Sequence, residues 1–283
     1  MFDRQGDKVI VPTYVDDWHI TAKTTDAIQR VKEELGKHFK LRDLGPTKWF
    51  LGIHIIRDRS KRTLSLSQHQ YCVDMLEEFG MADCRPVSTP MAPGTHLNAS
   101  MSPQTPADVE EMKEKPYMRA VGKLNWLALA TRPDISCYTV SQLARFNSNP
   151  GPQHRQAVKR LLRYIQGTTD YRLTYGPSPH PTNFLTDSDA DYAGDTDSSK
   201  STSGYALLMG GAAVAWSSKL QTRIAHSTTE SEYVAGESAT REIAFFRYVF
   251  EDLGYPVPLP RPLAMDNQSA ILLLPRIQST RVA

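Results

Sequence analysis

The stretch Phe184-Leu-Thr-Asp-Ser-Asp-Ala-Asp-Tyr-Ala-Gly-Asp195 sets a short apolar run directly against a row of carboxylates. It reads as a strand ending at Asp187, followed by an acidic turn in which Asp189, Asp191, Asp195 and Asp197 face water. Two later acids belong with Asp187. Glu230 lies in His226-Ser-Thr-Thr-Glu-Ser-Glu-Tyr233, and Asp266 ends the apolar run Pro262-Leu-Ala-Met-Asp266.

The intervening sequence predicts how the three would meet. Gly204-Tyr-Ala-Leu-Leu-Met209 and Ala213-Val-Ala-Trp-Ser-Ser218 are β-prone runs joined at Gly210-Gly211, a hairpin signal. Ser227-x-x-Glu230 is a capping box that opens a long helix to Leu253, with Gly254 as its stop. Beyond the proline-rich connection 256–262, a short strand reaches Asp266 and a last helix starts near Asn267. The order is β-β-β-α-β-α. A helix before the fourth strand lets that strand lie parallel to the first. Asp187 and Asp266 are then expected at the same end of neighbouring strands, with Glu230 on the first turn of the helix across them.

Three acids from separate elements suit Mg²⁺ (or Mn²⁺), which takes a few carboxylates and keeps several waters. Two such ions roughly 3.5–4 Å apart can activate water and steady a leaving oxygen in phosphodiester hydrolysis. A rival motif, Gly194-Asp-Thr-Asp-Ser-Ser-Lys-Ser201, half resembles a phosphate-binding loop. Ser199 replaces its second glycine, and its aspartates would repel phosphate. No G-x-S-x-G elbow is present for a serine hydrolase.

Upstream, Lys8 to Thr21 reads as two β-rich runs pinched at Asp16-Asp17, a hairpin. Thr25 is expected to cap a helix with Ile28, Val31, Leu35 and Phe39 at helical spacing. Trp49, Leu51, Ile53 and Ile55 alternate as a strand, and Leu64 and Leu66 follow the charged turn Arg57–Arg62. Ser67 opens a helix through Tyr71, Met75, Leu76 and Phe79 to Gly80. Residues 85–116, with prolines at 86, 90, 93, 103, 106 and 116, read as a linker with little structure of its own. Helices return from Tyr117 to Asn147, through Val121, Leu124, Leu127 and Leu129, and from Gln153 to Gln166. The latter carries Arg155, Lys159, Arg160 and Arg163, cations that could track a phosphate backbone; a solvated basic face is the alternative.

Net charge is only +2, so any basic surface for nucleic acid must be local. Three cysteines with no C-x-x-C pair argue against a disulfide framework or zinc ribbon and favour a reducing compartment. With no signal core and no run of about 20 apolar residues, the expectation is a cytoplasmic or nuclear protein with no membrane partner.

These residues together resemble the C-terminal part of the Pol polyprotein of a copia-type LTR retrotransposon, over nearly the whole chain. Tyr14-Val-Asp-Asp17 is similar to the reverse-transcriptase palm hairpin, followed by Leu44-Gly and Leu51-Gly52. Tyr117-Met-Arg-Ala-Val-Gly-Lys-Leu124, Thr131-Arg-Pro-Asp-Ile135 and Ala157 to Gly167 are similar to the connecting region. Asp187 to Asp195, Lys200-Ser-Thr-Ser-Gly-Tyr205, Thr229-Glu-Ser-Glu-Tyr233 and Asp266-Asn-Gln-Ser-Ala270 resemble its ribonuclease H domain.

The resemblance implies an α+β chain: a partial palm and thumb at 1–84, a linker at 85–116, a helical connection at 117–176 and a ribonuclease H-like domain at 177–283. It implies that Asp187, Glu230 and Asp266 hold Mg²⁺ or Mn²⁺ and cut the RNA strand of an RNA–DNA hybrid, with Arg155, Lys159, Arg160, Arg163 and Lys200 on nucleic acid. Asp16 and Asp17 correspond to the palm aspartates, Asp16 among those that bind the polymerase metals. The family's further palm aspartate stands well upstream of that hairpin, and Tyr14 is too near the start for it. Polymerase activity is therefore expected to be lost. The segment Leu273 to Ala283 does not match the family's last strand and helix, which carry a fourth metal-site residue. Three readings follow: a metal-dependent ribonuclease H, an inactive retroelement-derived nucleic-acid-binding fragment, or a polymerase subunit completed by another chain; the remainder of the polyprotein is the protein partner the resemblance implies.

Overall fold

The computed structural model describes residues 6–178, 184–258 and 261–273, apart from the side chains of residues 137 and 138. The rest, including most of the proline run 177–181 and the segment after Leu273, lies outside the described residues. The architecture is α+β, with helices and open sheets in two compact units, residues 1–50 and 51–283. The expected boundaries near 84, 116 and 176 fall inside the second unit.

In the first unit, Val9–Ile10 (β1) pairs antiparallel with Thr21–Ala22 (β4), and between them Thr13–Tyr14 (β2) pairs with Asp17–Trp18 (β3). Tyr14 lies opposite Asp17, so the chain turns through Val15 and Asp16, one residue earlier than expected; Val15 takes a left-handed φ of 50°. Thr25–Gly36 (α1) is capped by the Thr24 hydroxyl rather than by Thr25, because it is Thr24 whose extended backbone lets its oxygen accept from the Ala27 amide. The helix buries Ala27 and Val31 against Val9. Trp49–Phe50 (β5) ends the unit.

Leu51 and Gly52 both have positive φ, so the alternation read through residues 49–55 is interrupted there. The second unit starts with Ile53–Asp58 (β6) and Thr63–Ser67 (β7), an antiparallel pair. His69–Glu78 (α2) follows without a side-chain cap on its Gln68 N-cap, although the Ser67 hydroxyl accepts from the His69 amide. Gly80 provides the left-handed exit, φ 63°.

The stretch 85–116 carries more structure than its composition announces. Leu97 is buried in the main core, and Val87, Met91 and Met101 pack against it. Two arginines tie the stretch down: Arg160 Nη2 donates to the Thr89 hydroxyl (2.8 Å), and Arg163 Nε donates to the Arg85 carbonyl (2.7 Å). Pro106–Lys113 (α3) is a short helix with a capping box between Thr105 and Asp108. Tyr117–Ala130 (α4), Pro133–Ile135 (α5), a π-helical turn Ser136–Val140, Ser141–Ala144 (α6) and Pro152–Gln166 (α7) then build the core. They bury Leu124, Leu127, Ile135, Leu143, Leu161 and Ile165 together with Met75 and Leu76 of α2. Leu129 lies on the outer face of α4 and is exposed.

The polar centre of this core is Arg132, 1% exposed. Nε and Nη2 form a fork on Asp134 at 2.9 and 2.7 Å, while Nη1 donates to the Thr168 carbonyl at 3.0 Å and Nη2 to the Thr168 hydroxyl at 2.7 Å. The guanidinium also lies over the rings of Tyr164 and Tyr171. Arg172–Tyr175 (β8) follows α7 and extends the first sheet by pairing with β7, Leu66 opposite Leu173.

The remaining strands form a second sheet in the order β11-β10-β9-β12. Leu185–Asp191 (β9), Thr202–Met209 (β10) and Ala212–Leu220 (β11) are antiparallel, and Gly210 and Gly211 make the hairpin turn with φ of 61° and 89°. Thr228–Asp252 (α8) returns the chain, so that Leu263–Ala264 (β12) pairs parallel with β9. The C-terminus of α8 is a Schellman closure: the Gly254 amide donates to the Glu251 carbonyl and the Tyr255 amide to Phe250. Gln268–Leu273 (α9) is the last described element. The sheet is joined to helix α4 and to strand β8 before it, since Trp216 Nε1 donates to the Ala128 carbonyl at 2.9 Å and Tyr175 Oη to the Ala213 carbonyl. Among the described residues no helix is long and apolar enough to cross a membrane.

Two outcomes follow. Asp134→Ala leaves the Arg132 charge buried without its counter-ion; because Asp134 is itself partly exposed, the loss in urea unfolding is expected near the low end of the range, about 3 kcal/mol. Buried His154 accepts from the Gly151 amide through Nδ1, and burial lowers its pKa below the ordinary 6.5. The folded state resists the proton that the unfolded chain takes up, so stability is full above about pH 6.5 and declines as pH falls below it. His154→Gln should flatten that slope in pH-dependent thermal unfolding.

Candidate metal centre

The strand that carries the acids does not stop at Asp187. Because β9 runs to Asp191, Asp187 and Asp189 project from the same side of it, while Thr186 and Ser188 are buried on the other. Position along the strand, rather than side, separates them. The parallel ladder places Leu263 opposite Thr186 and Ala264 opposite Asp187. Continued by two residues, that register sets Asp266 against Asp189.

The helix supplies the third acid two residues later than the capping box suggests. The Glu230 amide is capped by the Ser227 hydroxyl, and its carboxylate turns back to accept from the His226 amide at 2.8 Å. Glu230 is exposed and occupied with its own helix end. Glu232 points the other way, into the protein, and is 6% exposed. It can reach the strands because the side of α8 that meets them is built of small residues, Ser231, Ala235, Gly236 and Ala239, all buried. A Cβ on Gly236 would stand 3.0 Å from Met265 Cε, so the helix lies tight over β12. Gln221 holds the same turn of α8, donating to the Ser231 carbonyl at 3.0 Å and to Ser203 Oγ at 2.9 Å.

The result is that Asp189, Glu232 and Asp266 each offer a carboxylate oxygen within 4.8 Å of the other two. Among the described residues this is the one group of three potential metal ligands at that spacing. Of the expected triad the structure brings Asp266 into the group, and it brings in neither Asp187 nor Glu230. The sequence does carry a signal for Glu232: it falls on the buried stripe with Ser231 and Ala235, whereas Glu230 is spoken for by its cap.

The electrostatics of the group are those of acids without a counter-ion. Burial pushes the Glu232 carboxyl above the ordinary carboxylate range; repulsion from Asp189 and Asp266 adds to the rise, and a hydrogen bond from the Ala190 amide partly offsets it. Glu232 Oε2 is buried with no hydrogen-bond partner. A buried carboxylate with one orphaned oxygen, set beside two more carboxylates, suits a hard divalent cation, and oxygen-only donors suit Mg²⁺ or Mn²⁺.

The other candidates lie elsewhere. Asp16 and Asp17 are exposed at the β2–β3 turn and, among the described residues, belong to no such group. Arg155, Lys159, Arg160 and Arg163 all lie on α7, but Arg160 and Arg163 are engaged with the 85–89 stretch. Lys200 is half-buried in the turn after β9, where its carbonyl accepts from the Asp195 amide. The acidic turn is not simply solvated either: Asp195 is 2% exposed and pairs with Arg145 at 2.6 Å.

Comparison with known proteins agrees with this architecture. The family model for reverse transcriptase (RNA-dependent DNA polymerase) matches residues 1–93. The chain is 42% identical over 263 residues to the retrovirus-related Pol polyprotein from transposon TNT 1-94 of Nicotiana tabacum, covering 93% of this chain and 20% of that protein. It is 34% identical over 265 residues to the corresponding polyprotein from transposon RE1 of Arabidopsis thaliana, covering 94% and 17%. A putative transposon Ty5-1 protein of Saccharomyces cerevisiae is 34% identical over 236 residues, covering 83% of this chain and 74% of that protein. The chain belongs to the copia-type retrotransposon Pol family. It includes part of the reverse-transcriptase region and spans about a fifth of the length of the Pol polyproteins it matches.

Without divalent cation the raised Glu232 pKa makes the native state lose stability as pH rises from about 4.5, the ordinary glutamate value, through the folded value. Glu232→Gln, which keeps an acceptor for Ala190, should therefore melt higher than the parent chain at neutral pH in EDTA. Mn²⁺ should reverse the order, raising the parent's melting temperature and leaving that of the variant unchanged.

Proposed function

We propose that the chain is a ribonuclease H-type endoribonuclease that hydrolyses the RNA strand of an RNA–DNA hybrid with divalent metal ions. The observation that carries this reading is the convergence of Asp189, Glu232 and Asp266, with Glu232 Oε2 buried and unpartnered. The three residues would hold Mg²⁺ or Mn²⁺. When bound, the metal supplies an activated water and charge neutralisation at the scissile phosphate.

The chain's own contribution is placement. Asp189 comes from β9, Asp266 from two residues past the parallel strand β12, and Glu232 from a helix packed over them, so the acids are held close before any cation arrives. The Ala190 amide donates a hydrogen bond to the Glu232 carboxylate and so orients it. Asp187, two residues back on the same side of β9, stands at the edge of the site. The hybrid would approach from the exposed side of Asp189 and Asp266, with Lys200, Arg155 and Lys159 as cations for its phosphates. DNA synthesis is not part of the proposal, since Asp16 and Asp17 stand without a third acid among the described residues.

The test is cleavage of an end-labelled RNA–DNA hybrid in Mg²⁺ and in Mn²⁺. Asp189→Asn, Glu232→Gln and Asp266→Asn should each reduce the rate by on the order of 100-fold or more, while Asp187→Asn and Glu230→Gln should retain most of it. Hybrid binding without cleavage by the parent chain would replace this reading with that of an inactive nucleic-acid-binding protein. Equal cleavage by all five variants would remove the metal centre from the mechanism.

A further inference from the structure

The turn that follows β9 is tied to the helical segment before it by a closed ring of contacts. Arg145, just past α6, places Nη2 2.6 Å from Asp195 Oδ1 and 3.4 Å from Asp197 Oδ2, and its Nη1 donates to Gln142 Oε1 at 2.8 Å. Asp197 in turn accepts the Ala99 amide on both oxygens at 3.0 Å. The neighbouring Asn98 carbonyl meets His154 Nε2 at 3.1 Å. His154 stacks on Phe146 with centroids 3.9 Å apart, and Phe146 lies under the Arg145 guanidinium. Since the Gly151 amide donates to His154 Nδ1, the proton of the neutral ring sits on Nε2 and is given to Asn98.

The turn itself is stiff. The Asp195 amide donates to the Lys200 carbonyl, the Ser199 amide donates to the Asp195 carbonyl, and the Ala193 amide donates to the buried Ser201 hydroxyl. Ser198 Oγ also donates to Asp195. Burial alone would raise the Asp195 carboxyl, but the hydrogen bonds from Ser198 and Arg145 outweigh it and keep the group ionised. At the near end, Gly194 leaves no room beside Asp191, whose carboxylate occupies the space a Cβ would need. Chain held at Asp195 is therefore held back to Asp191, and Asp191 is the last residue of the strand that carries Asp189. That end of β9 lies past the last residue paired with β12, so the second sheet restrains it on one side only.

We infer that Arg145 and Asp195 are positioning residues for the metal centre: the helical segment sets the geometry of Asp189 through this clasp, making cation affinity a property of the combined unit rather than of the second sheet alone. The inference rests on the metal reading above and deepens it. A few tenths of an ångström at a ligand-bearing strand end matter because carboxylates act on a cation only within a narrow distance range, and outer partners of metal ligands typically change affinity by about 10–100-fold.

The test is Mn²⁺ titration of the full chain followed by electron paramagnetic resonance, with thermal unfolding recorded in EDTA alongside. Arg145→Gln should weaken Mn²⁺ binding by about tenfold, and Arg145→Lys, which keeps a cation against Asp195, should recover part of it. Asp197→Ala removes only the outer, partly exposed arm of the clasp and serves if Arg145→Gln fails to fold. It should weaken Mn²⁺ by a smaller factor with the EDTA melting temperature little changed. Unaltered Mn²⁺ affinity in a folded Arg145→Gln or in Asp197→Ala would overturn the clasp while leaving the metal centre standing. Failure of the parent chain to bind Mn²⁺ would overturn the metal reading and the clasp's role with it.

Discussion

The helical half of this protein depends on a single buried cation. Arg132 has almost no contact with solvent, and a guanidinium in that position is tolerable only because its donors are spent on Asp134 and Thr168 and its faces are covered by Tyr164 and Tyr171. Arg132 sits just past the end of α4, and its partners come from α5 and from the last turn and exit of α7. Satisfying one side chain thus fixes how three segments meet. Thr131, beside it, donates to Gln68 at the start of α2 and extends the same polar junction to the first sheet. The aliphatic core around it supplies more area, but aliphatic contacts can slide; a forked charge pair with carbonyl and hydroxyl partners cannot.

At the second sheet like charges stand together instead of being paired. Asp189, Glu232 and Asp266 are gathered within 4.8 Å of one another, and one Glu232 oxygen is buried without a hydrogen-bond partner among the described residues. The small residues along α8 make this arrangement possible by letting the helix approach the strands.

Much of this was legible from residue order. The Gly210-Gly211 hairpin, the Ser227 cap, the Gly254 stop and the parallel return of the last strand all follow from local rules, because turn conformation, capping and crossover handedness are decided within a few residues. The 85–116 stretch was not legible. Its prolines and hydroxyl residues read as a linker, and nothing local indicates that Arg160 and Arg163 will hold it or that Leu97 will enter the core. The buried role of Asp195 was hidden for the same reason: its partner, Arg145, is fifty residues away, and an aspartate in a polar turn looks solvated until that partner is in place.

The choice among the acids shows most directly what each level decides. By itself the sequence determined the family, the order of elements and the fact that carboxylates from β9, α8 and the strand before Asn267 would share one region. It could not choose between Asp187 and Asp189, because residues two apart on a strand point the same way and both have the right chemistry. Only the pairing of Ala264 with Asp187 decides it, since it carries Asp266 forward to Asp189. Nor could the pattern around the capping box say that Glu232, rather than Glu230, would face the strands. A carboxylate that closes a helix end is turned toward its own backbone, and the one facing the strands is known only once the buried side of α8 is known.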